Sequence, residues 1–199
     1  LADRAMCEGL NRFVYHTFPH TPPESGKPGW VYNFDTLINT TNGWWPKSEP
    51  FHMYLARCSY LLQQGNFVGD VAFYYGDKAP NFVPPKHTPE SLGSGYDYDV
   101  VNTDVILNKM EVQDGRIFLP HGQSYAVLVL PDEQAMNVQV LEKLEQMVSA
   151  GATIIGPKPV RSYSLHNYRS NDEAIRRLAA KMWGRIDGKR TTENRYGKG

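Results

Sequence analysis

Six residues, Tyr125 to Leu130, constrain this chain more than any other stretch. They read Tyr-Ala-Val-Leu-Val-Leu, with no polar alternation. A strand with one wet face alternates, whereas a strand covered on both faces by helices does not. The run therefore predicts a buried strand of a parallel sheet, ended by Pro131, which cannot donate to a ladder. Its surroundings agree. Met136 to Ser149 places Val140, Leu141, Leu144, Met147 and Val148 on one helical face, with Gly151 as its stop. Thr153-Ile154-Ile155-Gly156 reads as the next buried strand. Upstream, Met110-Glu111-Val112 and Arg116-Ile117-Phe118-Leu119 flank Asp114-Gly115, and Asp-Gly between β-like runs is the strongest short hairpin signal. Asn66 to Tyr75 reads as a strand, and Asp97 to Asn108 as a helix with Val101, Val105 and Ile106 inward. Residues 66–157 thus predict a small α/β domain on a parallel sheet, with the 125–130 strand central. Asn171-Asp172-Glu173 is expected to cap a helix from Ala174 to Trp183. The polar, glycine-rich residues 185–199 read as a disordered or truncated tail.

The first third of the chain has a different grammar. Leu1 to Leu10 reads as the tail of a helix, with Gly9 at the stop. Arg12-Phe13-Val14-Tyr15-His16-Thr17-Phe18 is rich in β-branched and aromatic residues and reads as a strand. It runs into Pro19-His20-Thr21-Pro22-Pro23, where two successive prolines take the chain out of any ladder. A long irregular stretch then reaches Asn42-Gly43-Trp44-Trp45. Compact domains seldom keep so long a loop unless it lines a site. Pro50 sits near the first turn of the next helix, where a missing N–H does no harm. Phe51, Tyr54, Leu55, Cys58, Leu61 and Leu62 recur at helical spacing, and Gly65 ends the run.

Composition narrows the functional classes. The chain carries 21 basic and 21 acidic residues in 199, so its formal net charge is zero. That argues against nucleic-acid and anionic-membrane partners. No apolar run approaches the ~18–20 residues needed to span a bilayer. Cys7 and Cys58, the only cysteines, lie in helical patterns and are expected to be buried free thiols. Tyr and Trp, at 12 and 4 residues, suit flat amphipathic ligands such as sugars as well as cores and interfaces. Asn39-Thr40-Thr41 is a formal glycosylation sequon, a motif short enough to recur by chance.

Taken in order, Glu8-Gly9-Leu10-Asn11-Arg12-Phe13-Val14-Tyr15-His16-Thr17-Phe18-Pro19-His20 followed by Asn42-Gly43-Trp44-Trp45 resembles glycoside hydrolase family 106, the α-L-rhamnosidases. Tyr54-Leu55-Ala56-Arg57-Cys58, Leu62-Gln63-Gln64-Gly65, Gly95-Tyr96-Asp97-Tyr98-Asp99 and Leu128-Val129-Leu130-Pro131 fit the same pattern. The resemblance implies a (β/α)-barrel catalytic domain, inversion at the anomeric carbon, a glutamate pair and a calcium ion near the sugar. On this view residues 1–65 are the C-terminal part of the barrel. Residues 66–184 form an α/β accessory domain resembling the flavodoxin-like or amidotransferase-like domain that follows the barrel in several glycosidase families. The glutamate pair is expected on strands that precede this segment. Carbohydrate and the remainder of a longer polypeptide are the implied partners, and a periplasmic or extracellular parent is the expectation.

Within the segment, His16 and His20 sit at the end of a presumptive strand, where an imidazole can hydrogen-bond sugar hydroxyls or remain structural. Trp44 and Trp45 can stack on the C–H face of a sugar, or plug the space between barrel and second domain. Asn39 and Asn42 can meet hydroxyls or shape turns. Tyr15, pointing opposite to His16, is assigned to packing. Two histidines without a third ligand make no zinc site. Glu24, Asp35 and Glu49 are the local carboxylates, none at a strand end, so none is assigned catalysis. In the second domain Gly76-Asp77-Lys78 follows Phe73-Tyr74-Tyr75, with no dinucleotide or Walker pattern. Pro131-Asp132-Glu133 stands where an amidotransferase places its cysteine nucleophile, so this domain is read as structural. The rival readings are a β-galactosidase-like glycosidase segment and a non-catalytic carbohydrate-binding or oligomerisation module.

Overall fold

The computed structural model describes residues 1–16, 18–30, 38–83 and 92–199. They fall into two compact units, Leu1–Gly65 and Asn66–Gly199.

In the first unit, helix α1 (Ala2–Cys7) stops short of Gly9, whose φ of 100° suits a residue without a Cβ. Helix α2 (Glu49–Leu62) carries Pro50 in its first turn, as the sequence predicts. One polar contact joins the two helices and a second ties the residues that follow them. Tyr54 donates to Asp3 Oδ1 at 2.6 Å, and Gln63 Nε2 donates to the Asn11 carbonyl at 2.8 Å. The expected strand at Arg12–Phe18 is not formed by residues 12–16 or by Phe18; Thr17 lies outside the described residues. β-propensity measures how well a side chain fits a pleated, half-buried surface. Here the segment has no neighbouring strand among the described residues of its unit, and Val14 stays 87% exposed. The apolar face of α2 is likewise uncovered: Leu55 is its one buried residue, while Phe51, Tyr54, Leu61 and Leu62 are exposed. Cys7 is exposed and Cys58 half-buried, against the expectation of two buried thiols.

The second unit is α/β. Its main sheet is parallel and four-stranded, built from β1 (Val71–Tyr74), β2 (Tyr98–Val101), β6 (Val127–Val129) and β7 (Thr153–Ile155) in the order β2-β1-β6-β7. A smaller antiparallel sheet is formed by β3 (Glu111–Gln113), β4 (Arg116–Phe118) and β5 (Ser124–Tyr125). Helices α3 (Thr103–Asn108), α4 (Val138–Ala150) and α5 (Tyr168–Trp183) complete it. The β3–β4 hairpin turns at Asp114 and Gly115, with φ of 48° and 77°. Positive φ at both central residues is what a type I′ turn needs and what Asp-Gly supplies.

Several boundaries differ from those the sequence predicts. Asp97–Asn108 is not one helix. Tyr98-Asp99-Val100-Val101 pairs with β1 as a parallel strand, and Asn102 then caps α3 by accepting from Val105 N at 3.0 Å. The 125–130 run is divided at Ala126: Tyr125 pairs with Ile117 in the small sheet, while 127–129 lie between β1 and β7. Its central position is as expected, with Leu128 fully buried. β7 is an edge strand rather than a strand covered on both faces, and Ile155 is 55% exposed. Helix α5 begins at Tyr168, six residues before the expected start, and Asp172, within it, accepts from Ser162 N at 2.7 Å instead of capping a helix.

The core follows the two helical faces. Val140, Leu141, Leu144 and Met147 of α4 and Ile175, Leu178, Ala179, Met182 and Trp183 of α5 are buried at 3–4-residue spacing. They join Ala72, Leu128 and Leu130 in one cluster. Each such large side chain contributes roughly 1.5–3 kcal/mol by leaving water. Trp183 Nε1 donates to the Gly156 carbonyl at 3.0 Å, so the indole is buried without an orphaned N–H. Residues 185–199 run back along the helices. Asn194 Nδ2 donates to the Met182 carbonyl at 2.8 Å, Lys198 N to the Ser149 carbonyl at 3.1 Å, and Tyr196 to Glu145.

Candidate functional site

The first unit gathers rings around one histidine. Asn42 begins the approach: its carbonyl accepts from Trp45 N at 3.0 Å and so starts a short 3₁₀ turn, Trp45–Lys47, that carries Pro46. Buried Ser48 closes this turn by donating its hydroxyl to the Trp45 carbonyl at 2.7 Å. Ser48 also accepts, through its carbonyl, from His52 N at 3.0 Å, which ties the turn to α2. The Trp44 and Trp45 rings stand 6.0 Å apart at 57°. The His52 ring lies 5.8 Å from Trp45, 5.7 Å from Phe51 and 5.6 Å from Tyr15, the last edge-on at 86°. Tyr15 Oη and His52 Nδ1 are 3.3 Å apart, and burial pushes the Tyr15 phenol above its ordinary value. On the other side of the ring, His52 Nε2 is buried and has no hydrogen-bond partner among the described residues.

This places the residues singled out from the sequence. Trp44, Trp45 and Asn42 belong to one turn. His20 instead pairs edge-on with the exposed Trp30, at 6.5 Å and 75°. His16 is exposed at the surface beside Tyr15 in the chain. Tyr15, which the sequence assigns to packing, meets the His52 ring edge-on, and His52 is not among the residues the sequence singles out. A histidine set among Phe51, Met53 and Tyr54 in an apolar helical pattern was the available signal. Asn39 shapes its loop: its Oδ1 accepts from Thr41 N at 3.0 Å and lies 2.6 Å from Thr41 Oγ1. It is only 2% exposed, so the sequon nitrogen is shut away from any modifying enzyme in the folded state. Glu24 and Glu49 are exposed, and Asp35 lies outside the described residues. Among the described residues no three His, Cys, Asp or Glu side chains converge as a metal site. No helix among them is long and apolar enough to cross a membrane.

Within the first unit, the turn of paired tryptophans beside His52 thus sets apolar ring surface next to hydrogen-bonding groups. A family model described as alpha-L-rhamnosidase, glycoside hydrolase family 106, matches residues 1–199, and the chain belongs to that family. It is 37% identical over 188 residues to a protein of Formosa agariphila named "Putative beta-glucuronidase"; the match covers 93% of this chain and 16% of that protein. Among solved structures it is similar to a rhamnosidase from Novosphingobium sp. PP1Y, at 30% identity and a TM-score of 0.76, over 96% of this chain and 18% of the other. The chain thus spans under a fifth of the length of these two relatives.

Proposed function

We propose that this chain is a segment of an inverting α-L-rhamnosidase, in which residues 1–65 close the catalytic barrel and help to hold the sugar, and the α/β unit is accessory to it. The observation that carries the proposal is the cluster of Trp44, Trp45, Phe51 and Tyr15 about His52, with Nε2 buried and lacking a protein partner among the described residues. A 6-deoxy sugar presents a methyl group and C–H faces, which aromatic rings accept, and neutral hydroxyls, which imidazole and phenol can meet. The uncovered apolar face of α2 suits the remainder of a barrel. The acid–base pair and the calcium ion belong, on this proposal, to other segments of the parent.

The name of the Formosa relative favours a second reading, a β-glucuronidase. A uronate carries a carboxylate that calls for Arg or Lys, whereas the rings that meet His52 among the described residues, Tyr15, Trp45 and Phe51, are uncharged. The test sets the parent enzyme against an aryl α-L-rhamnoside and an aryl β-D-glucuronide, with the anomer of the released sugar followed by NMR. Turnover of the rhamnoside with inversion is the expected result, and turnover of the glucuronide alone would overturn it. The 199-residue chain by itself should release nothing, because each missing acid or base group is worth about 10²–10⁴-fold. Chain-alone turnover lost on Glu24→Gln, Asp35→Asn or Glu49→Gln would place the chemistry inside this segment instead.

A further inference from the structure

The second unit, read as structural from its sequence, contains a cavity of about 440 Å³. Its place in the fold is informative. From β1 the chain passes to β2 on one side, then crosses back to β6 and β7 on the other. The winding direction therefore reverses between β1 and β6, and open parallel sheets bind ligands outside the carboxyl ends of their strands at such a reversal. The cavity is lined by Asp77, just after β1; by Asn137 and Gln139, at the start of α4 after β6; and by Ser162, Tyr163 and Ser164, after β7. Two of these loops are fixed to each other: Met136 N donates to the Arg161 carbonyl at 3.0 Å and Val160 N to the Gln134 carbonyl at 2.8 Å. The volume lies within the roughly 300–1,000 Å³ of small-molecule sites.

The lining selects the ligand. No Lys or Arg is among the lining residues. The Asp77 carboxylate would repel an anion, although a helix begins there. The helix start is already served in part, because Asn137 Oδ1 accepts from Gln139 N at 2.9 Å. Asp77 is not a free cation ligand either, since it accepts from the hydroxyls of Tyr74, at 2.9 Å, and Thr103. What remains is a set of neutral groups. Ser162 Oγ and Ser164 Oγ accept from Ser164 N and His166 N, both at 3.1 Å, and each keeps its own proton to donate. Gln139 brings an exposed amide with donors and an acceptor, and Tyr163 brings a ring that is 37% exposed. Hydroxyl, amide and one open aromatic face are the chemistry that recognises a neutral pyranose.

We infer that the cavity between the ends of β1, β6 and β7 is a second carbohydrate site, taking one neutral pyranose unit of a glycan, separate from the rings about His52. It stands on the second unit alone and does not depend on which sugar the parent cleaves.

The test is amide chemical-shift mapping of the ¹⁵N-labelled 199-residue chain, titrated with L-rhamnose, D-galactose and D-glucose, and with inorganic phosphate as the anion control. At least one sugar is expected to give saturable shifts at Val138, Gln139 and Ser162 to Ser164 in the millimolar range. Tyr163→Ala should weaken that binding about tenfold. Gln139→Ala, at an exposed position, should weaken it while leaving the rest of the spectrum in place. Shifts confined to Trp44, Trp45 and their neighbours would overturn the inference without touching the proposal for the first unit. So would shifts at the cavity with phosphate alone, or no saturable shift with any of the three sugars.

Discussion

Replacing Tyr125 by Phe isolates one bond that spans the α/β unit. Tyr125 is 2% exposed, and its hydroxyl donates to Asp99 Oδ2 at 2.8 Å, linking β5 to β2. The ring is kept in Phe, so packing is preserved and the hydrogen bond alone is lost. A bond to a charged acceptor is worth about 1.5–3 kcal/mol. Asp99 is half-buried and can recover water in the variant, which puts the expected loss near the low end, about 1.5–2 kcal/mol. The loss is read at neutral pH from native-state hydrogen exchange of the Leu128 and Leu141 amides. Burial first, and the Asp99 hydrogen bond second, push the Tyr125 phenol above its ordinary value. A group whose folded pKa is raised contributes stability that is complete below its unfolded value and declines as pH climbs toward the folded one. From about pH 10 upward the wild-type chain should therefore lose stability, by no more than about 1.4 kcal/mol per pH unit for this group. Tyr125→Phe lacks that dependence, so urea unfolding followed by circular dichroism should show the gap between the two proteins narrowing above that pH. A cost under about 0.5 kcal/mol at neutral pH would refute the reasoning, since it would fall below a net neutral hydrogen bond. A gap that stays constant into the alkaline range would refute it equally.

Gly156→Ala should destabilise the same unit by about 1–3 kcal/mol, because its Cβ would stand 2.5 Å from Leu130 Cβ in a packed strand end. Thermal unfolding measures this, and an unchanged Tm would mean that Leu130 moves freely. Trp45→Ala in the parent enzyme should raise KM for an aryl rhamnoside about tenfold through loss of ring contact. An unchanged KM would assign Trp45 to packing.

The parts of the fold that the sequence made legible are those where local chemistry and tertiary packing agree. Asp114-Gly115 carries its own turn geometry, so the hairpin could be read without knowing its surroundings. The helical faces of α4 and α5 are long enough for their 3–4-residue spacing to speak for itself. Where the partner decides, the sequence was ambiguous. Val100 and Val101 suit either a helix or a strand, and it is β1 alongside that makes them a strand. Tyr15 and Val14 have the residues of a strand, yet a ladder needs a second chain segment in register. The candidate site shows the same division. Paired tryptophans after Asn42-Gly43 announce a ring cluster, but nothing local says that α2 returns His52 to Tyr15, 37 residues away.

Ala126 makes the segment from Ser124 to Val129 a shared piece of two sheets, paired with β4 on one side of that residue and with β1 and β7 on the other. Its amide is itself tied to the Asp70 carbonyl at 2.8 Å. Side chains in a strand alternate, so adding or removing a single residue here would turn Leu128 out of the core and also shift Tyr125 off Ile117. An extra residue in the Asp114-Gly115 turn would disturb only the small sheet. The length of the chain between Ser124 and Val129 is therefore as firmly fixed as any side chain in the core. Changes in length can be absorbed only where one sheet at most takes the strain.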